Sequence, residues 1–297
     1  MEAGQPATEQ WSDRYRDIEA WPAQTALSAL WEAQLAAVAA VGPALPALAA
    51  AVDAAAARLA EGGRLAYAGA GTSGRIGVQD GTELTPTFNW PQDRLVFLMA
   101  GGTKALTEAV EDAEDQSGAA ADAIAQASLG PSDVLLAVAA SGATPYTVAC
   151  TKAARTAGTL TIGVANVSGS PLLQAAEHPL AITTGPEVIA GSTRLAAGTS
   201  QKVVLNLFST LLMVRLGRVY RGQMVDMQAR NAKLRRRAVR MLRDLTNHAD
   251  ADCTAALAEA GGHVKTAVLL LHGRNRDGAA AALARHAGHL RPALAGL

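Results

Sequence analysis

Short apolar runs and helical spacings alternate through the middle of this chain. The apolar runs span Arg64 to Ala68, Leu95 to Met99, Val134 to Ala139, Leu160 to Val164 and Leu180 to Thr183, and Gly, Ser or Asn soon follows each. Runs of that length closed by turn residues predict buried strands. Between them, helical patterns occupy Ile76 to Asp80, Lys104 to Asp115, Ala119 to Ala127, Pro145 to Ala157 and Leu172 to Glu177. The alternation predicts an α/β fold, a three-layer αβα sandwich around a parallel, flavodoxin-like five-stranded sheet. In such sheets ligands bind at the carboxyl ends of the strands, where the loops after the first and third strands can face each other.

Outside this region the pattern changes. Residues 1–24 form a polar arm carrying Trp11, Tyr15 and Trp21. An alanine-rich helical stretch from Thr25 to Leu59 then stops at Glu61-Gly62-Gly63. Within it, Leu35 to Val52 has no charged residue and is long enough to cross a bilayer, but Gly42, Pro43 and Pro46 divide it into two short helices joined by a kink. After the last strand a long helix is expected from Leu195 to Leu216. The segment Met227 to Leu245 carries Lys233, Arg235, Arg236, Arg237 and Arg240, read as a solvated face or a contact to an acidic surface. The expected division is an N-terminal arm with helices (1–60), the sheet domain with its long helices (61–245), and a small C-terminal helical domain (246–297).

Charge and cysteines narrow the function. Lys plus Arg (26) balances Asp plus Glu (26), so overall charge favours neither nucleic acid nor an anionic membrane. Expected partners are a small molecule and a second copy of the chain. Cys150 and Cys253 have no metal-ligand spacing, and no basic flank precedes an apolar signal core, which points to the cytoplasm. All six histidines fall at or after His178, so a serine–histidine–acid triad on the glycine loops is not expected.

The candidate chemistry sits in the turns. Gly69-Ala70-Gly71-Thr72-Ser73-Gly74 follows the first strand and leads into a helix, gathering amides and two hydroxyls into an anion site. It matches G-x-G-x-x-G, yet the second strand ends in Met99-Ala100-Gly101-Gly102 without the acid that would hold a ribose, which favours a compact phosphate over a dinucleotide. The third strand ends in Ala140-Ser141-Gly142-Ala143-Thr144-Pro145. Alone, Ser141 and Thr144 are also what a capped helix needs. With Gly191-Ser192-Thr193-Arg194 as a third hydroxyl-rich turn, a shared phosphate cradle is the better reading.

These loops resemble those of sugar isomerase (SIS) domains, which bind phosphosugars. More narrowly, Gly69 to Arg75, Ala113-Glu114-Asp115, Ala140-Ser141-Gly142, Gly185-Pro186-Glu187, Gly191 to Arg194 and Asn231-Ala232-Lys233-Leu234 are similar in order and spacing to the N-acetylmuramic acid 6-phosphate etherase family. The resemblance covers about Arg64 to Arg240. It implies a cytoplasmic homodimeric lyase that removes D-lactate from the phosphosugar in amino-sugar catabolism and peptidoglycan recycling, without metal or organic cofactor. By motif it implies Glu83 as the acid/base glutamate and Glu114 as the second catalytic one. It also implies substrate contacts from Gly71, Thr72, Ser73, Ser141, Gly142, Thr144, Glu187, Ser192 and Thr193. The sequence departs from the pattern at Thr82-Glu83-Leu84-Thr85-Pro86, where Ala-Glu-Cys-Pro-Pro is usual, and at Thr8-Glu9-Gln10, where Thr-Glu-Arg is usual. The same fold also serves phosphosugar-sensing regulatory proteins and phosphosugar isomerases, which stand as the alternatives.

Overall fold

The structure is a computed structural model that describes residues 6–110, 112–229 and 231–295; Glu111, an acid of the run before Asp115, lies outside the described residues. The chain divides into two compact units, residues 1–82 with 93–209, and residues 83–92 with 210–297.

The first unit holds five parallel strands, β1 (Leu65–Gly69), β2 (Leu95–Met99), β3 (Val134–Ala139), β4 (Leu160–Ala165) and β5 (His178–Ala181), in the order β2-β1-β3-β4-β5. The chain reverses its winding between β1 and β3, which creates the crevice where such sheets take ligands. Strands β1, β3 and β4 are buried at every residue, as parallel strands covered on both faces must be. Their small side chains let helices approach on either side. Ala66, Ala68, Leu135, Ala137 and Ala139 pack with α4 (Ser117–Ala127) and α5 (Pro145–Thr156) on one face. The helix α2 (Leu45–Ala60) packs on the other through Leu48, Val52, Ala55 and Leu59. A short α6 (Pro171–Ala175) joins β4 to β5. At the opposite end of the sheet from the crevice, Asp133 accepts from the Arg64 backbone N–H and from its guanidinium, each at 2.7 Å.

The apolar stretch before the sheet is two helices, α1 (Ala23–Ala39) and α2, separated by a tight turn at Gly42–Ala44. Unlike α2, α1 leaves Leu27, Trp31, Leu35 and Val38 exposed along one stripe.

Two expectations change. The helical pattern from Lys104 to Asp115 does not form one helix; two short 3-10 turns, Thr103–Leu106 and Ala113–Asp115, replace it. The physical reason is Arg75, whose guanidinium takes the carbonyls of Ala105 and Glu108 that a continuous helix would use internally. In contrast, the short helix expected at Ile76 to Asp80 is one turn of a long helix, α3 (Gly71–Phe88).

The second unit is helical. It contains α8 (Ala232–Thr246), α9 (Asp250–Glu259), α10 (Val264–Leu271), α11 (Arg276–Arg285) and α12 (Leu290–Ala295). One core runs from Tyr220 and Val225 through Ala238, Met241 and Leu242 to Leu290. The basic helix α8 therefore buries its apolar stripe in the same core as the tail helices, which is why this unit begins near Thr210 and not at residue 246. Residues 83–92, the end of α3 and the irregular stretch after it, belong to it as well: Arg218 donates to the carbonyls of Phe88 and Asn89 and to Asp226, and lies over the Trp90 ring. Asp226 also pairs with the buried Lys265 at 3.0 Å, whose pKa burial pushes down.

Candidate active site

The end of β1 passes through Ala70 directly into α3, and the end of β3 passes through Ala140–Thr144 into α5, whose first residue is Pro145. Two helix N-termini, with amides that no turn of helix satisfies and the positive ends of two dipoles, thus border one place. A third turn, 191–194, precedes α7 (Ala196–Arg215). Together they enclose a cleft of about 420 Å³ lined by Gly71, Thr72, Ser73, Ser141, Thr144, Gly191 and Thr193. Five hydroxyl-bearing residues line it, and among its described lining residues there is no lysine or arginine. The donors such a cleft offers an anion are hydroxyls, amides and helix ends.

Glycine is required at two points. A Cβ on Gly74 would lie 2.3 Å from Met99 Sδ and 2.7 Å from the Gly69 carbonyl, so only glycine lets α3 press against the sheet. Gly142 has φ +65° and a Cβ there would lie 2.1 Å from Ser170 Oγ. It shapes the second loop without lining the cleft.

The hydroxyls differ in how they are held. Ser73 is buried and donates to Gln201 at 2.9 Å; Gln201 donates to Asn166, which donates to the Ile182 carbonyl and to Ser200. Ser141 accepts from the Ala143 amide of its own loop at 3.2 Å. The Thr144 side chain makes no capping bond to α5, which leaves its hydroxyl for the cleft.

Glu114 lies on the cleft wall, together with Asp115 and with Glu9 of the N-terminal arm. Glu83 does not: it is exposed on α3, roughly three turns beyond Gly71, where that helix enters the second unit. Glu187 is also off the wall. Its two oxygens accept from the amides of Ala196 and Ala197 at 2.8 and 2.9 Å, capping α7, and burial pushes its pKa up against those bonds. Ser192 belongs to the third turn, where its amide donates to the Ile189 carbonyl. Behind the site, Asp80 accepts from Tyr67 at 3.0 Å and Ser209 at 3.1 Å, fixing α3 to β1 and α7; its burial raises its pKa.

Sequence reasoning left out Glu9, Asp115 and Gln201. Gln201 sits among polar neighbours, between Ser200 and Lys202, so the sequence carried no signal that its amide is buried and needs partners. Glu9 stood in a motif noted only for its altered neighbour, and nothing in the sequence brought the arm to the sheet.

The sheet order, the crevice between β1 and β3 and the hydroxyl turns define an SIS domain, and the sequence model for the glucokinase regulatory protein N-terminal SIS domain matches residues 47–155. A phosphoheptose isomerase from Francisella tularensis shares the fold, with a TM-score of 0.50 and 18% identity, covering 65% of this chain and 100% of that one. The N-acetylmuramic acid 6-phosphate etherase of Deinococcus radiodurans is 51% identical over 289 residues, 97% of this chain and 94% of that protein. The etherase of Streptomyces coelicolor is 47% identical, over 86% of this chain and 83% of its own. The chain belongs to the N-acetylmuramic acid 6-phosphate etherase family and is a carbon–oxygen lyase.

Proposed function

We propose that this protein cleaves the lactyl ether of N-acetylmuramic acid 6-phosphate, giving N-acetylglucosamine 6-phosphate and D-lactate, as a cytoplasmic homodimer. The observation that carries the substrate is the cleft itself, five hydroxyls and two helix N-termini with Glu114 on the same wall. Charge-assisted hydrogen bonds of this type contribute about 1.5–3 kcal/mol each, and a helix dipole about 0.3–1 kcal/mol. That is enough to anchor the 6-phosphate without a cation.

The chemistry needs two carboxyl groups. The hydrogen on C2 is acidic only beside an aldehyde, so the open-chain sugar reacts. Glu114 takes the C2 proton, and the electron pair forms the C2=C3 double bond as the C3–O bond breaks. Glu83 protonates the departing lactate oxygen and then activates water, which adds its oxygen to C3 while a proton returns to C2. One water is consumed, and no electrons leave or enter.

Glu83 is not part of this chain's own cleft wall, which supports its acting on the cleft of a second copy. Surface for such a copy is present: Leu27, Trp31, Leu35 and Val38 form an exposed apolar stripe on α1, whereas α7 exposes only Leu207 and Val214 among its large apolar side chains and buries Val204, Leu205, Phe208, Leu212 and Met213. The test is to incubate the protein with N-acetylmuramic acid, phosphorylated or not, and assay D-lactate. Release from the 6-phosphate far above release from the free sugar is expected; equal rates would remove the phosphate anchor, and no release would remove the activity.

A further inference from the structure

A second cavity of about 250 Å³ adjoins the phosphate cleft and shares Ala70, Gly71 and Glu114 with it. One ligand anchored by its phosphate in the cleft can therefore extend past Glu114 into this cavity. The remaining wall is apolar, four alanines (Ala100, Ala105, Ala109 and Ala113) with the larger Met99 and Val110, apart from two polar side chains, Arg75 and Asp112. The guanidinium is held in place because its Nε donates to the Ala105 carbonyl at 2.9 Å and its Nη2 to the Glu108 carbonyl at 3.1 Å. That clamp is the same one that prevents residues 104–115 from forming a continuous helix, so the cavity exists because the helix does not.

Resting on the etherase reading, we propose that this cavity is an acyl-amide subsite that receives the acetamido group on C2 of the substrate. An acetamido group has a methyl, one carbonyl acceptor and one N–H donor, and carries no charge. The cavity answers each: alanine side chains for the methyl, Arg75 for the carbonyl oxygen, and Asp112 for the N–H. A carboxylate such as the lactyl group fits less well, because two carboxylates, Asp112 and Glu114, share the wall with a single guanidinium. A hydroxyl would leave the alanine wall unused. With the acetamido group seated there, C2 lies beside Glu114 at the junction of the two cavities, where a C2 base must be. Arg75 and Ala109 are then specificity-determining residues.

Binding measured by calorimetry on the intact protein tests this with N-acetylglucosamine 6-phosphate and glucose 6-phosphate, which differ in the C2 substituent, and with 3-O-(1-carboxyethyl)glucose 6-phosphate. The wild type is expected to favour the N-acetyl sugar by about tenfold or more, a difference readily resolved as affinity. Ala109→Leu, at an exposed position whose side chain makes no hydrogen bond, fills the cavity and should bring that ratio close to one. Arg75→Lys should lower the ratio as well, since a point charge cannot both keep the two carbonyl bonds and reach the acetyl oxygen. Equal affinity for the two sugars in the wild type, or an unchanged ratio in Ala109→Leu, overturns the proposal. So does a penalty from Ala109→Leu that follows the carboxyethyl group. Lactate release by a wild type that binds both sugars equally would discard the subsite alone, whereas no sugar-phosphate binding and no lactate would discard the etherase reading with it.

Discussion

Ser73 and Ser141 sit on the same wall, yet the structure makes different things of them. Ser141 is tied only to the next amide but one, while Ser73 ends a buried chain of amides through Gln201 and Asn166. Ser141→Ala should therefore raise KM by about ten- to a hundredfold, the equivalent of one hydrogen bond to a charged group, with little change in Tm. Ser73→Ala should raise KM and also lower Tm, because Gln201 loses a buried donor. Measuring both constants on both variants is the check; a Tm loss without a KM change at Ser141 would make it a structural cap. The hydroxyls were legible because Ser and Thr after an apolar run have few uses. The Gln201 chain was not, because its members lie on different elements and only the fold brings them together.

At the scale of elements, the strands were legible nearly to their ends, since each is a closed apolar run whose surroundings agree with its length. β5 is the exception, beginning at His178 and ending at Ala181, because pairing with β4 and not hydropathy sets its register. The 104–115 segment failed for a related reason: its helical spacing is real, but Arg75 and the left-handed Asp112 (φ +60°) compete with the helix. Side chain to backbone bonds also set the far end of the sheet. There, burial pushes the Asp133 pKa up, but bonds from the Arg64 side chain and from the Arg64 and Gly130 amides outweigh it and hold the carboxyl below its ordinary value. A depressed folded-state pKa contributes stability that is present above the unfolded value and lost as pH falls through the folded one. Asp133→Asn should accordingly lower Tm by several degrees at neutral pH, and the gap to wild type should close as pH is lowered through the acid range. A gap independent of pH would mean that the charge is not what matters.

For the molecule as a whole, the balanced total charge conceals a division. The first unit carries 11 Lys and Arg against 19 Asp and Glu, the second 15 against 7, so neutrality is a sum of opposites. Chain-wide totals hide this; the second unit also recruits residues 83–92 from the middle of the sequence, whose one charged residue is Glu83. The same recruitment assigns Glu83 and Glu114 to different units, and the two-copy site has a sharp consequence. Glu83→Gln cannot transfer a proton and should lose activity by about 100-fold or more while still binding product. Mixed and re-equilibrated with a Ser73→Ala/Ser141→Ala variant, itself unable to bind well, it should recover activity. Random pairing makes half the dimers mixed, each with one intact site, so about a quarter of wild-type activity is expected. No recovery in a sample shown to contain mixed dimers would return Glu83 to the site of its own chain.

The proposed reaction is an elimination that begins at C2 and ends with water at C3. It is tested most directly by running the wild-type reaction on N-acetylmuramic acid 6-phosphate in deuterium oxide and examining the product by NMR and mass spectrometry. N-acetylglucosamine 6-phosphate is expected to appear with deuterium at C2, in step with D-lactate, because the returning proton comes from solvent. Lactate released alongside a product that keeps its original hydrogen at C2 would contradict it, since the ether would then have been cut without Glu114 ever removing that proton.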